Sequence, residues 1–406
     1  MPYQIAGRSY ESTDPKLNEV LAAAYGSANR PLCMCRGKGI EMYIAKLGKL
    51  FLIKRMPHSG AHHAAACDSY EPPAELSGVG EVMGGAIQTN VEDGLTTLKF
   101  DFALAKTGAR AAPAPSGTEH DSVRTDGKKL TLRGTLHYLL DEAGLTRWSP
   151  AMEGKRSWNV VRKYVMEAAS DKVAKGSPVS DLLYIPETFN SDKKDEIARR
   201  RMSIFNQLSK ANGAARRLMM IVGEVKEIGD ARFGKKMVVK HLPDAPMMMN
   251  DDLYKRLVKR FENELMLWEG NPLSHLLVVG TFGVSGAGVP SLEEASLVLT
   301  NENWIPYESV DEMMLLEALG KQKRKFTKGL RYNLPSTAPL ASAVLSDTDN
   351  PVAMYIMPYG ANEQYTKELG QLIEESTLKS WKWETADEMP PFEPASVERK
   401  VAIVKQ

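Results

Sequence analysis

Cys33-Met34-Cys35 and His63-Ala64-Ala65-Ala66-Cys67, with a hairpin-like run from Met42 to Met56 between them, gather all three cysteines of the 406-residue chain. Three of its seven histidines, His58, His62 and His63, fall in the same window. Zinc takes four soft or borderline donors at tetrahedral positions, and thiolates and imidazoles supply them. Cys33 and Cys35 offer one pair, and Cys67 with one of the three histidines offers the other. Met42-Tyr-Ile-Ala-Lys-Leu47 and Leu50-Phe-Leu-Ile-Lys54 flank Gly48-Lys49 and predict a short antiparallel hairpin that brings the pairs together. Three thiolates and one imidazole leave no open position on the ion, so the pattern predicts a structural Zn2+ rather than a catalytic one. Such a site contributes on the order of 10 kcal/mol to a small module with little core of its own.

Outward from this window, the chain is too long for one ordinary core, so two or three domains are expected. Hydrophobic content of 43% and charged content of 25% exclude a disordered or fibrous chain. No run of apolar residues reaches membrane-spanning length, so no membrane partner is expected. Met1-Pro-Tyr-Gln-Ile5 lacks a basic region followed by an apolar run, which predicts a cytoplasmic location. A reducing compartment and an odd cysteine count argue against a disulfide framework.

The net charge of +1 hides a division along the chain. Residues 1–106 carry eleven basic and eleven acidic side chains, residues 128–217 eighteen and ten, and residues 218–406 twenty-one and twenty-seven. A basic middle between neutral and acidic flanks suits a polyanion-binding surface, although solvated helical faces give the same count.

The expected fold class is α+β and multidomain. A zinc-bound β subdomain covers 1–106, with strands also at 86–90 and 96–103. An exposed, mobile linker covers 107–128, where Ala-Ala-Pro-Ala-Pro-Ser-Gly leads into a polar run. A basic helical region covers 129–217, with three- and four-residue apolar spacing over 130–143, 158–172 and 191–210. An α/β region covers 218–406, with strands at 218–228, 236–241, 276–281, 295–300, 343–345, 353–357 and 380–384. Its helices are expected at 251–268, 310–319 and 362–375.

Several motifs resemble an uncharacterised bacterial family, domain-of-unknown-function family 1173. They are Pro31-Leu-Cys-Met-Cys-Arg36, Glu41-Met-Tyr-Ile-Ala45, Lys54-Arg-Met-Pro57, Cys67-Asp-Ser-Tyr-Glu-Pro-Pro73, Ser149-Pro-Ala-Met-Glu-Gly-Lys-Arg-Ser-Trp158 and Phe326-Thr-Lys-Gly-Leu-Arg-Tyr-Asn333. The resemblance runs over nearly the whole chain and implies a passenger of plasmids and integrative conjugative elements, with no activity attached. Its histidine-x-x-x-cysteine pattern selects His63 over His58 and His62, which gives the zinc set Cys33, Cys35, His63 and Cys67.

Residues 320–390 are similar in layout to the core of restriction-endonuclease-like PD-(D/E)XK nucleases. Ala341–Thr348 stands as first strand, Val352–Met357 as second, Asn362–Glu375 as helix and Lys379–Trp383 as last strand. That resemblance implies an aspartate where Ser342 stands and an acid where Tyr355 stands. Without paired carboxylates no magnesium ion is held to activate water, so the resemblance implies a pseudo-nuclease kept for binding or assembly.

Other features compete. Glu224-x-Lys226 is an acid-x-lysine set that would serve a metal-dependent nuclease. Gly280-Thr-Phe-Gly-Val-Ser-Gly-Ala-Gly288, leading into a helix-compatible Pro290-Ser-Leu-Glu-Glu, lacks the spacing of a phosphate loop and reads as a plain connection. Trp148 belongs to the same interleaving of aromatic and basic side chains as Lys155, Arg156, Trp158, Arg162 and Lys163, which with Arg199 and Arg200 suits stacking on bases and contacts to phosphates. Met247-Met248-Met249 reads as core filling and His137 as a packing histidine.

The expectation is a non-catalytic DNA- or complex-binding accessory of a mobile element, with DNA and other element-encoded proteins as partners and no small-molecule cofactor. A metal-dependent nuclease and a protein-interaction scaffold are the alternatives.

Overall fold

The computed structural model of the chain describes residues 2–47, 50–92, 94–107, 127–209 and 215–396, and shows a mixed α+β architecture. Most of the expected linker lies outside the described residues. Its end is corrected, because Gly127 is buried and its carbonyl accepts from the Ala86 N–H at 3.0 Å.

The first sheet orders Arg8–Glu11, Pro2–Ile5, Leu32–Cys33, Ile40–Leu47 and Leu50–Arg55. The last two form the expected hairpin, with Met42 opposite Arg55 and Leu47 opposite Leu50. Its cores are small: Cys33, Met42, Cys67 and Tyr70 in one, Ile5, Leu21 and Ile44 in the other.

The middle holds the expected helices Leu132–Glu142, Trp158–Ser170 and Lys194–Ser209. Thr131 caps the first by accepting from the Gly134 N–H at 2.9 Å. The all-helical expectation is corrected by strands of two or three residues, too short to carry a periodic pattern. Among them, Lys172–Ala174 runs parallel to Leu95–Leu98, and Arg147–Trp148 edges the C-terminal sheet.

The largest assembly is a closed barrel of five strands: Met219–Asp230, Lys235–Val239, Leu242–Met249, His275–Val284 and Pro290–Thr300. The order is first-second-third-fifth-fourth, and the fourth pairs back onto the first. Only the third–fifth pairing is parallel, and helices Asp251–Arg260 and Glu262–Gly270 lie between third and fourth strands. This strand order and helix placement is that of an oligonucleotide/oligosaccharide-binding barrel. One expectation is thereby corrected: Pro290 to Glu294 is strand rather than helix. Met247-Met248-Met249 ends a strand, and Met247 and Met249 fill the core as expected.

Alternation along the barrel strands feeds two cores. Ile221, Met237, Val239, Met247, Val278 and Leu297 join one. Met220, Val222, Leu277, Val279 and Val298 join the other, with residues of the helices Leu132–Glu142 and Trp158–Ser170. Burial on both faces explains why Met219–Val222 reads as an unbroken apolar run. The second core also takes Val82, Leu98 and Phe100 from before the linker and Leu330 and Tyr332 from near the C-terminus, so the boundaries at 106, 129 and 217 fall within a shared core.

The C-terminal sheet orders Lys379–Glu384, Val352–Met357, Ala343–Leu345, Phe326–Lys328 and Arg147–Trp148. Val352–Met357 and Lys379–Glu384 are parallel, joined by helix Glu363–Glu375, which Asn362 caps. The segment after Phe326–Lys328 is locked into the middle of the molecule. Gly78 N–H donates to Leu330 O at 2.8 Å, and a Cβ on Gly78 would stand 1.8 Å from Arg331 O, so only glycine fits there.

Candidate metal centre and neighbouring polar clusters

Cys33 is held by strand pairing on both sides, opposite Tyr3 and opposite Ile40. Cys35 follows in the turn that Gly39 closes at φ 69°. Across the hairpin, a single helical turn Gly60–His62 delivers His63, and a further turn, Cys67 N–H to Ala64 O at 2.8 Å, delivers Cys67.

The four ligand atoms lie within 4.8 Å of one another and form a candidate metal site. Cys33 Sγ is 3.6 Å from Cys67 Sγ, while His63 Nδ1 is 3.4 Å from Cys35 Sγ and 3.7 Å from Cys67 Sγ. A disulfide needs sulfurs about 2 Å apart. Tetrahedral bonds of about 2.3 Å to sulfur instead separate two sulfurs by about 3.8 Å. The distances fit a metal and not a disulfide. His58 and His62 are exposed, whereas His63 is fully buried.

The electrostatics agree. Burial pushes the Cys33 thiol up to about 12 and raises Cys67, so three adjacent thiolates need a cation among them. Burial, then Arg55, lowers His63, which keeps the imidazole neutral and its ring nitrogen free to ligate. Ala64 N–H points at Cys35 Sγ at 3.5 Å and Ser69 N–H at Cys67 Sγ at 3.4 Å, donors that stabilise thiolate charge.

An ionic cluster ties this lobe to the rest. Glu71 pairs with Arg55 and, at 3.1 Å, with Arg147. Lys54 pairs with Asp171, and Lys172 Nζ reaches Asp171 at 2.6 Å and Glu142 at 2.8 Å. Burial works against ionising Glu142, yet Lys172 and Lys54 hold its carboxyl at about 2.

The residues expected at a nucleic-acid surface divide. Lys155, Lys163, Arg199 and Arg200 are exposed, Lys163 near Glu167 and Arg200 paired with Glu187. Arg162 is half-buried and donates to Ile185 O at 3.1 Å. Trp158 and Arg156 are corrections. Trp158 is buried, donates to Pro186 O at 2.9 Å, and packs on His241 and Trp304. Arg156 donates to the carbonyls of Leu145, Asn303, Gly144 and Arg147, and burial lowers it to about 10. It is a backbone pin, so Arg156→Ala is expected to lower stability by about 3 kcal/mol through orphaned carbonyls. Urea unfolding measures this, and an unchanged midpoint would contradict the pinning role.

Glu224 is also not the free acid that a metal-dependent nuclease needs. It accepts from His275 Nδ1 at 2.7 Å and Lys240 Nζ at 2.9 Å, with His241 at 3.9 Å, and His275 stacks on Trp304 at 3.9 Å. Lys226 is not among its partners in these contacts. The cluster was invisible in the sequence because its members come from four separate elements. In the C-terminal sheet, Ser342 and Tyr355 are both buried and bring no carboxylate. His137 is a packing residue as expected: it is buried and accepts from the Tyr332 N–H at 3.0 Å.

Fold and site together define a mixed α+β protein with a Cys3His candidate metal centre. The chain belongs to the family described as "Protein of unknown function (DUF1173)", whose model matches residues 3–386. No curated protein and no solved structure matches it. Among the described residues no helix is long and apolar enough to cross a membrane.

Proposed function

We propose that this chain is a non-catalytic DNA-binding accessory protein of bacterial plasmids and integrative conjugative elements, in which Cys33, Cys35, His63 and Cys67 hold a structural Zn2+. The observation that carries the reading is the five-stranded barrel, a topology whose second and third strands and adjoining loops serve oligonucleotide binding on other chains. Helices cover the outer faces of its first, fourth and fifth strands, and leave Lys236, Val238 and Met248 of the other two partly exposed. A cleft of about 460 Å³ between the helices Trp158–Ser170 and Lys194–Ser209 adds Arg162, Arg201 and Arg217.

Soft thiolates with one imidazole favour zinc over magnesium or calcium, and a reducing cytoplasm keeps such thiols available. The region 320–390 is read as a nuclease-like core without its carboxylates, a pseudo-nuclease with Ser342 and Tyr355 in their places; the order of strand, strand, helix and strand supports this reading. Other proteins of the same mobile elements are its further partners.

Fluorescence anisotropy with labelled DNA across salt concentrations tests the reading. Wild type should bind with a negative salt slope, and Lys163→Glu with Arg199→Glu should weaken binding about tenfold and flatten the slope by about one to two. Absence of binding at low salt would overturn it and leave the scaffold reading.

A further inference from the structure

The turn between the first two barrel strands is Ala231-Arg232-Phe233-Gly234, closed by Ala231 N–H donating to Gly234 O at 3.1 Å. At its tip Phe233 is 79% exposed, among the most exposed large apolar side chains described. An exposed phenylalanine forgoes the favourable burial that a core position would give it. The Arg232 guanidinium lies 5.5 Å over its ring. Residues 226–236 carry four basic side chains, Lys226, Arg232, Lys235 and Lys236, against two acidic ones, Asp230, which pairs with Lys235, and Glu227, which lies 3.8 Å from Lys236.

The second rim comes from the glycine-rich segment that motif reading set aside as a plain connection. Ser285-Gly-Ala-Gly-Val289 joins the fourth and fifth strands, with Ser285 N–H donating to Val289 O at 2.9 Å. Its small, uncharged residues let a ligand approach the backbone, and Gly288 supplies a φ of 78°. Register brings both loops to one end of the barrel. Lys235 stands opposite Met249, and the neighbouring Met248 stands opposite Ser291. Between the rims run the outer faces of the second and third strands, where Lys236, Val238, Pro246 and Met248 are partly exposed.

We propose that this face is a single-stranded nucleic-acid path, with Phe233 as a base-stacking platform and Arg232 and Lys236 as phosphate contacts. The proposal rests on the nucleic-acid-binding reading above and names its ligand and place. A single strand is favoured over a duplex because one protruding ring beside cations meets an unpaired base face directly, whereas in a duplex that face is already stacked. Stacking on an exposed ring is tolerant of sequence, so the path reads backbone and base face rather than a code.

The experiment uses the full chain, labelled oligo-dT and a labelled duplex of equal length, with wild type, Phe233→Ala and Phe233→Trp. The expected result is that Phe233→Ala weakens oligo-dT binding about tenfold, Phe233→Trp restores it, and neither moves the thermal midpoint. Equal oligo-dT affinity in wild type and Phe233→Ala would overturn the path and leave nucleic-acid binding standing. Binding of duplex alone would do the same. Binding of neither would overturn both.

Discussion

If Cys33, Cys35, His63 and Cys67 hold the proposed zinc, Cys67→Ser is expected to strip the purified protein of it and to unfold the N-terminal lobe, residues 2–76, while the barrel stays intact. The lobe has little else to hold it. Its two cores contain four and three buried residues, and two of the first four are themselves ligands. A closed site of this kind supplies on the order of 10 kcal/mol, more than such cores provide. Metal content by elemental analysis and limited proteolysis measure the effect. One zinc per chain retained in Cys67→Ser would sink the ligand assignment. His58→Ala and His62→Ala should keep the metal, because both side chains are exposed and only His63 is buried among the sulfurs.

The second large effect is at Lys172, a lysine only 1% exposed. Its ammonium neutralises Glu142 and Asp171 and lies 5.7 Å from the centre of the Tyr138 ring. Lys172→Met leaves the buried Asp171 and the more open Glu142 with only Lys54 and Arg55 as cations nearby, and should cost about 3 kcal/mol in urea unfolding at neutral pH. The pH dependence has a definite sign. A carboxyl held at about 2 when folded contributes stability that is fully present above its ordinary value of about 4.3 and is lost as pH falls toward 2. Wild type should therefore weaken between pH 5 and 2, and Lys172→Met should weaken less over that window. An equal decline in both would remove Glu142 from the account.

How much of this was legible in the sequence follows from locality. The metal cluster was visible because cysteine and histidine are few in this chain and their spacing is short. The hairpin and the helices were visible because each carries its own period. The barrel was not. Its third strand contains Pro243, Asp244 and Pro246, which mark a loop in any local reading. Its closure joins Met219–Glu224 to residues near 280, with nothing in either segment naming the other. Trp158 and Arg156 were misread for a related reason. An arginine satisfied by backbone carbonyls has the same sequence signature as one that waits for phosphate. Phe233 was passed over because a lone aromatic in a turn gains meaning only once its exposure is known.

The contacts that lock the end of the chain into its middle also set a timetable for folding. Asn333 accepts from the Thr131 N–H at 3.1 Å across a separation of 202 residues, and Arg133 donates to Tyr332 O and Leu334 O. At ribosomal rates of about 5–20 residues per second, roughly 10–40 s separate the emergence of the two partners. The N-terminal lobe, whose four candidate metal ligands all lie within residues 33–67, can close early in that interval. The helix Leu132–Glu142, eight of whose eleven residues end up buried, can pack early on Leu98, Phe100 and the helix Trp158–Ser170, but the surface it gives to the barrel strands and to Leu330 and Tyr332 stays uncovered until those are made. Nascent-chain interactions with a holding chaperone should concentrate on that helix, and slowing translation beyond residue 142 should lengthen the exposure.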